Sequence, residues 1–432
     1  MLEALQRALS IPELKKRILF VLGMFAVFAL GAHIPVPGVD HNKLAQIMGK
    51  AGGGLLGLVD VFSGGALRRM SIFAMGIAPY INASIIMQMM TIALPQLDAM
   101  QKEGEAGRKK IARITRNLTV VLAAVQSFGM TFIFTNSGAH IGFFQRLQIV
   151  VALTAGSALL LWLGEQVTQR GVGNGISLVI FAGILLSLPY QARIIVEQVR
   201  TGTVPWFNLV FLIAIFVGTV YAVVFVTQGT RRIPIQHTKR VIGMRQTQAG
   251  SSYLPIKVNM AGVIPIIFAV SLMLFPATIL NAFPAAADSS MGRLKDWWTG
   301  HMNPGSTWYA TLLYALLVII FTYFYTAIVM NVHDMADNLK KYGNYIPGIR
   351  PGKPTYDYLE RVISRITLAG AVFLALIAVG QYVLPARTGF QNFTLIGGTS
   401  LLIVVGVAIE TMQAIEAQLL MRNYEGFIKG GQ

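Results

Sequence analysis

Ten stretches of the chain are apolar and long, over 18–34, 72–94, 117–135, 147–164, 175–188, 207–227, 259–280, 307–330, 366–384 and 395–412. No Lys or Arg falls inside any of them, and Glu410 is the only acid that does. A charge at the centre of a bilayer costs several kcal/mol, about 2.5–3.5 on insertion scales, so this partition predicts membrane-spanning helices. The fifth run is the shortest, and Gly171, Gly173 and Gly175 stand at its entrance. Between the first two runs lies GGGLLGLVDVFSGGAL, residues 52–67, a short apolar stretch with glycines on both sides. Leu55 to Phe62 would make about two helical turns, near 12 Å, less than half the hydrocarbon core. Such a piece is either a re-entrant element enclosed by protein or an interfacial loop helix.

Composition agrees with the pattern. Of 432 residues, 54% are hydrophobic and only 12% charged, about half the charge of a soluble domain. Disorder, a coiled coil and a disulfide scaffold are excluded together, the last because the chain has no cysteine.

Charge then fixes the topology. The chain carries 35 Lys and Arg against 18 acids, a net +17, which points to anionic partners such as lipid headgroups or acidic macromolecules. With ten spans, 25 of the basic residues fall on the side that holds both termini and 10 on the other. If the fifth run did not cross, the split would be 16 against 19 and the asymmetry would vanish. The positive-inside rule therefore selects ten spans with both termini in the cytoplasm. Lys15, Lys16 and Arg17 before the first run resemble a signal-peptide start, but the further spans make this segment an uncleaved anchor. Two long loops on the basic side concentrate the charge. Residues 228–258 hold Arg231, Arg232, Lys239, Arg240, Arg245 and Lys257 with no acid, and residues 331–365 hold Lys340, Lys341, Arg350, Lys353, Arg361 and Arg365. They either enforce orientation or form a docking surface.

Catalytic chemistry is missing from the sequence. There is no phosphate-binding Gly-Lys-Ser/Thr loop, since Gly49-Lys50 precedes Ala51 and Gly352-Lys353 precedes Pro354. The six histidines (33, 41, 140, 237, 301 and 333) are scattered, and the spans hold no carboxylate pair. Ion-coupled carriers and membrane enzymes need ionisable groups at depth; this chain reads as a conduit. Pro79 in the second span, and Pro265 and Pro276 in the seventh, are candidate kinks that would let spans move.

Six long segments resemble the SecY family of channel subunits of the Sec translocon: IPVPGVD at 34–40, FSGGALRRMSIFAMGIAPYINASIIMQ at 62–88, WLGEQVTQRGVGNGIS at 162–177, KVNMAGVIP at 257–265, ADNLKKYGNYIPGIRPG at 336–352 and GGTSLLIVVGVAIE at 397–410. The resemblance covers nearly the whole chain. It implies an all-α polytopic fold of ten transmembrane helices in two inverted pseudo-symmetric halves, about 1–190 and 191–432, although no internal repeat is visible in the sequence. It also implies a plug helix near 55–67, including Leu55, Leu56, Leu58, Val59, Val61 and Phe62.

By the same matching, a pore ring falls on Ile77, Ile81, Ile176, Ile180, Ile267 and Ile403. Two of these pairs are spaced i, i+4, which puts both members on one helix face. A collar of stiff, β-branched side chains would close around a passing chain while bonding none of it. A lateral gate between spans two and seven falls on Asn82, Gln88, Ser271 and Phe275, with Asn82 replacing the serine more familiar there. Docking of motor or ribosome falls on Arg350 in the second loop and on Arg231, Arg232, Lys239, Arg240 and Arg245 in the first.

The implied activity is passage of unfolded secretory polypeptides across the bacterial inner membrane, with lateral release of hydrophobic segments into lipid. No cofactor is implied. Implied partners are SecE, SecG, the SecA ATPase, the ribosome, translocating polypeptides with their signal sequences, and membrane lipids. A small-solute secondary transporter and a pore-less insertase or scaffold are the competing expectations.

Overall fold

The computed structural model describes residues 2–37, 60–136, 142–237, 241–242, 245–246, 251–282, 290–302, 304, 307–390 and 398–429. Ten helices take up the ten apolar runs: α2 (Pro12–Gly31), α3 (Ala78–Ala93), α5 (Glu105–Asn136), α6 (Phe143–Arg170), α7 (Gly175–Arg200), α8 (Trp206–Gln228), α9 (Ile264–Ala282), α11 (Trp308–Val329), α13 (Lys353–Thr388) and α14 (Thr399–Lys429). Four shorter helices, α1 (Leu2–Ser10), α4 (Pro95–Lys102), α10 (Ser290–His301) and α12 (Val332–Lys341), lie between or before them. Among the described residues, α6, α7, α8, α11, α13 and α14 are individually long and apolar enough to cross a membrane. Helix α3, at 16 residues, rises about 24 Å, and irregular chain before it supplies the remaining depth.

Several helices outrun the hydropathy that announced them. Helix α5 starts at Glu105 and α13 at Lys353, each about a dozen residues before its apolar run. In the water-exposed first turn of α5, Glu105 and Lys109 pair at 2.8 Å, a contact that adds about 0.2–0.5 kcal/mol. The proline expectation is corrected at two of three positions. Pro79 and Pro265 are the second residues of α3 and α9, where the missing N–H has no helical partner to lose. Pro276 lies inside α9, and Pro189, beyond the end of the fifth apolar run, lies inside α7.

Packing reveals the repeat that the sequence hides. In the first five spans α3 packs on α5, α5 on α6, α6 on α7, and α2 on both α6 and α7. In the second five α9 packs on α11, α11 on α13, α13 on α14, and α8 on both α13 and α14. The two patterns are the same, and because five is odd the second set starts from the opposite side of the membrane, which makes the repeat inverted. Among the described residues, the sets join along two main seams: α9 against α3 and α5, and α14 against α7.

Among the described residues, the β-strands of the chain lie on the basic side. Strand β1 (Thr230–His237) pairs antiparallel with β4 (Ser251–Lys257) and with β5 (Asn344–Tyr345), while β2 (Val241–Ile242) and β3 (Arg245–Gln246) form a separate ribbon. The long loops are thus one platform. Ile233 and Ile256 from the first loop bury against Ile346, Leu359 and Ile363, and the Tyr345 hydroxyl donates to Gln236 Oε1 at 2.9 Å.

Candidate functional site: the waist, the plug root and the α3–α9 seam

The first-half isoleucines are set by two helix starts. Ile77 is the N-cap of α3, and its carbonyl accepts from the Ile81 amide at 3.1 Å, so the i, i+4 pair holds one face. Asn174 caps α7, its side-chain oxygen accepting from Ile176 N at 3.1 Å and Ser177 N at 3.4 Å. That cap fixes the start of the turn that carries Ile176 and Ile180.

Residues 60–77 fold back between α2 and α3. Their base is pinned by a short antiparallel contact in which Val36 N donates to Met70 O at 2.8 Å and Ile72 N to Ile34 O at 3.0 Å. Of the plug helix expected over 55–67, residues 60–67 are described, and of these only Asp60–Phe62 is helical. Leu55, Leu56, Leu58 and Val59 lie outside the described residues, Val61 is buried and Phe62 half-buried. Gly64 and Gly65, at φ +73° and +76°, turn the chain after it. The turn is tied internally: the Ser63 hydroxyl donates to Asp60 O at 3.1 Å, and Arg68 N donates to Asp60 Oδ1 at 2.8 Å. Burial pushes the Asp60 carboxyl above the usual carboxylate range, against the downward pull of the Arg68 amide and of the Arg68 and Arg69 charges.

These pieces converge. A cavity of about 30 Å³ is lined by Phe62 and Ser63 of the fold-back, by Ile77, Ile81, Ile180 and Ile267, and by Val270, Ser271 and Leu274 of α9. Four of the six isoleucines therefore meet the root of the plug at one small, mostly aliphatic hollow, and Ser271 of the expected gate shares it. Ile176 and Ile403 belong to the same hydrophobic cluster without lining the hollow, and Ile403 is fully buried in α14. Asn82 and Phe275 are half-buried on α3 and α9, which pack together.

Gln88 faces elsewhere. It lines a cleft of about 350 Å³ farther along α3, bounded by α5, by Glu165 of α6 and by Ile328 of α11. There its Nε2 donates to Ser84 Oγ at 3.3 Å, while its Oε1 is buried without a protein partner. Arg116 and Glu165 pair across the cleft wall through both carboxylate oxygens, at 2.8 to 3.1 Å. The sequence reading did not single out this pair, which joins residues 49 positions apart.

On the platform, Arg231 and Arg232 are exposed on β1 and Arg350 is exposed on the turn before α13. The Arg350 carbonyl accepts from the Thr355 hydroxyl at 2.8 Å, which fixes the turn while leaving the guanidinium free to reach outward. Arg245 lies on β3; Lys239 and Arg240 lie outside the described residues.

A family model described as SecY matches residues 71–412. The chain is 43% identical to the protein translocase subunit SecY of Streptomyces coelicolor, over 99% of this chain and 100% of that one. It is 41% identical to the Mycobacterium tuberculosis protein of the same name, with the same coverage. The chain belongs to the SecY family. It is a multi-pass membrane protein and a protein-conducting channel subunit of the Sec translocon. Solved structures with the same fold include one described as a protein conducting channel, with a TM-score of 0.63 and 16% identity over 93% of this chain and 92% of that one. Another, of a SecY whose plug domain is described as stabilising the closed channel, has a TM-score of 0.65 and 18% identity over the same shares. Sec61 in a canine ribosome–channel complex has a TM-score of 0.60 at 14% identity, again over 93% and 92%.

Proposed function

We propose that this SecY-family chain closes its channel at the isoleucine hollow and opens it by parting α9 from α3. The hollow carries the reading: plug root, isoleucines and gate helix share a space of about 30 Å³, with room for little more than a water or two. Its mostly aliphatic walls offer few fixed bonding partners, so a passing chain of any sequence would meet the same surface. Ile77, Ile81, Ile176, Ile180, Ile267 and Ile403 act as the collar, residues 55–67 as the plug, and Asn82, Ser271 and Phe275 as the gate margin, with Gln88 set apart in the neighbouring cleft. Hydrophobic segments leave sideways between α3 and α9 into lipid.

Helix α7 continues to Arg200, so we place the division between the halves at 201–205, past the position 190 expected from the sequence. The basic side faces the cytoplasm of a bacterial inner membrane and carries both termini. The platform is the docking face for the SecA motor or a ribosome, with Arg231, Arg232, Lys239, Arg240, Arg245 and Arg350 as its cations; structural relatives of this fold are described in ribosome-bound complexes. SecE and SecG complete the channel.

Crosslinking a stalled secretory chain tests the reading. A single arrested chain should label probes at both Ile77 and Ile267. Labelling confined to lipid-facing positions would favour a pore-less insertase, and saturable uptake of a small solute by the chain alone would favour a transporter.

A further inference from the structure

We propose that Gly183 and Tyr190 of α7 are the seat of the plug, positioning its root in the closed channel through a backbone contact and a cation–π contact; this rests on the channel reading above. Gly183, Leu186 and Tyr190 are spaced i, i+3, i+7, so they form one stripe along α7, and all three meet the segment 60–69. A Cβ on Gly183 would overlap the carbonyl oxygen of Phe62. In return, a Cβ on Gly64 would sit 3.2 Å from the Gly183 carbonyl oxygen and 3.1 Å from Leu186 Cδ2. Two backbones therefore touch where neither carries a side chain.

Two turns along α7 the contact changes character. The Arg68 guanidinium lies over the Tyr190 ring, 3.2 Å from its centroid. The arginine is presented by a preformed hook, since Asp60 Oδ1 accepts from its own amide and Arg69 Nη2 donates to Gly64 O at 3.3 Å. The position of the seat matters for mechanism. Helix α7 packs within the first half and on α14, whereas α9 packs on α3 and α5. A plug rooted on α7 stays with the first half while α9 swings, and a contact shared with water at its rim can break and reform. A cation–π contact of this kind should weight the closed plug over the open one by roughly 2- to 30-fold.

The test uses the full chain with its partner subunits, reading resting ion conductance in planar bilayers and export of a signal-bearing precursor in vesicles. Tyr190→Leu and Arg68→Leu should each raise resting conductance by that factor, and the double variant should add nothing beyond either alone. Tyr190→Phe keeps the ring face and should stay within about twofold of the parent. Gly183→Ala should raise conductance as well; should it fail to assemble, the partly exposed Tyr190 and Arg68 variants still decide. Unchanged conductance in both leucine variants, additive effects in the double variant, or an equal rise in Tyr190→Phe would overturn the seat. The channel reading fails differently, by an unaltered chain that passes no precursor at all.

Discussion

The two seams between the halves are built to different standards. Beside the contact of α7 with α14 on the basic side, the packing is closed: α1 packs on both α2 and α14, and Ala8, Leu14, Val172 just before α7 and Ile415 of α14 form one buried cluster. Where α9 meets α3 and α5, the join is hollow. The 30 Å³ space lies within it, and the 350 Å³ cleft opens beside it between α3, α5 and the Ile328 end of α11. Close-packed contact resists separation, whereas a void has already forfeited part of its dispersion energy. One seam is thereby suited to hinge and the other to part, although both are made from helices of the same repeat.

The largest effect that could break this contrast is expected at the filled seam. Ile415→Asp buries a carboxylate among Ala8, Leu14 and Val172 and should cost about 3 kcal/mol or more, visible as a lowered thermal midpoint of the solubilised complex. A wild-type midpoint would mean that this seam bears no weight. At the hollow seam, Ile267→Asn should cost less, about 1–3 kcal/mol, because its side chain borders a void. Its signature should be functional: higher resting ion conductance and export of precursors with weakened signal sequences. Unchanged conductance would count against the collar.

How much of this was legible in the sequence follows from the range of the forces involved. The helices on the ten apolar runs were readable because hydrophobicity acts residue by residue along the chain. The starts of α5 and α13 were not, since their first turns lie in water and carry polar residues that leave no apolar trace. In the β4–β1–β5 sheet, the link between the two loops is not legible because β1 pairs with β5 across more than 100 residues. Among site residues, Ile77, Ile81, Ile180, Ile267 and Ser271 line one hollow, but only family resemblance distinguishes them in the sequence from many similar residues. Gly183 and Tyr190 carried no signal, because a backbone contact and a stacked guanidinium depend on which helices become neighbours.

Away from both seams the effects should be smaller and of another kind. Arg350→Glu should slow motor-driven export on the order of tenfold and leave the thermal midpoint alone; export at the parent rate would remove the docking role. Smallest of all, Lys109→Ala deletes a pair whose side chains are 76% and 84% exposed and should shift stability by no more than about 0.5 kcal/mol. A larger shift by calorimetry would show that the water-exposed turns of α5 matter more to the hollow seam than their solvation implies.

The sheet of the basic side also has a mechanical meaning, apart from the docking proposed for it. Strand β4 ends at Lys257 and α9 begins at Ile264, so only a short tether separates the sheet from the helix at the mouth of the channel. Lys257 Nζ also donates to Gln413 Oε1 of α14 at 3.0 Å, which gives that tether a fulcrum on the hinge side. A partner gripping the sheet would hold a crank, and each push or pull delivered there would arrive at α9 as torque.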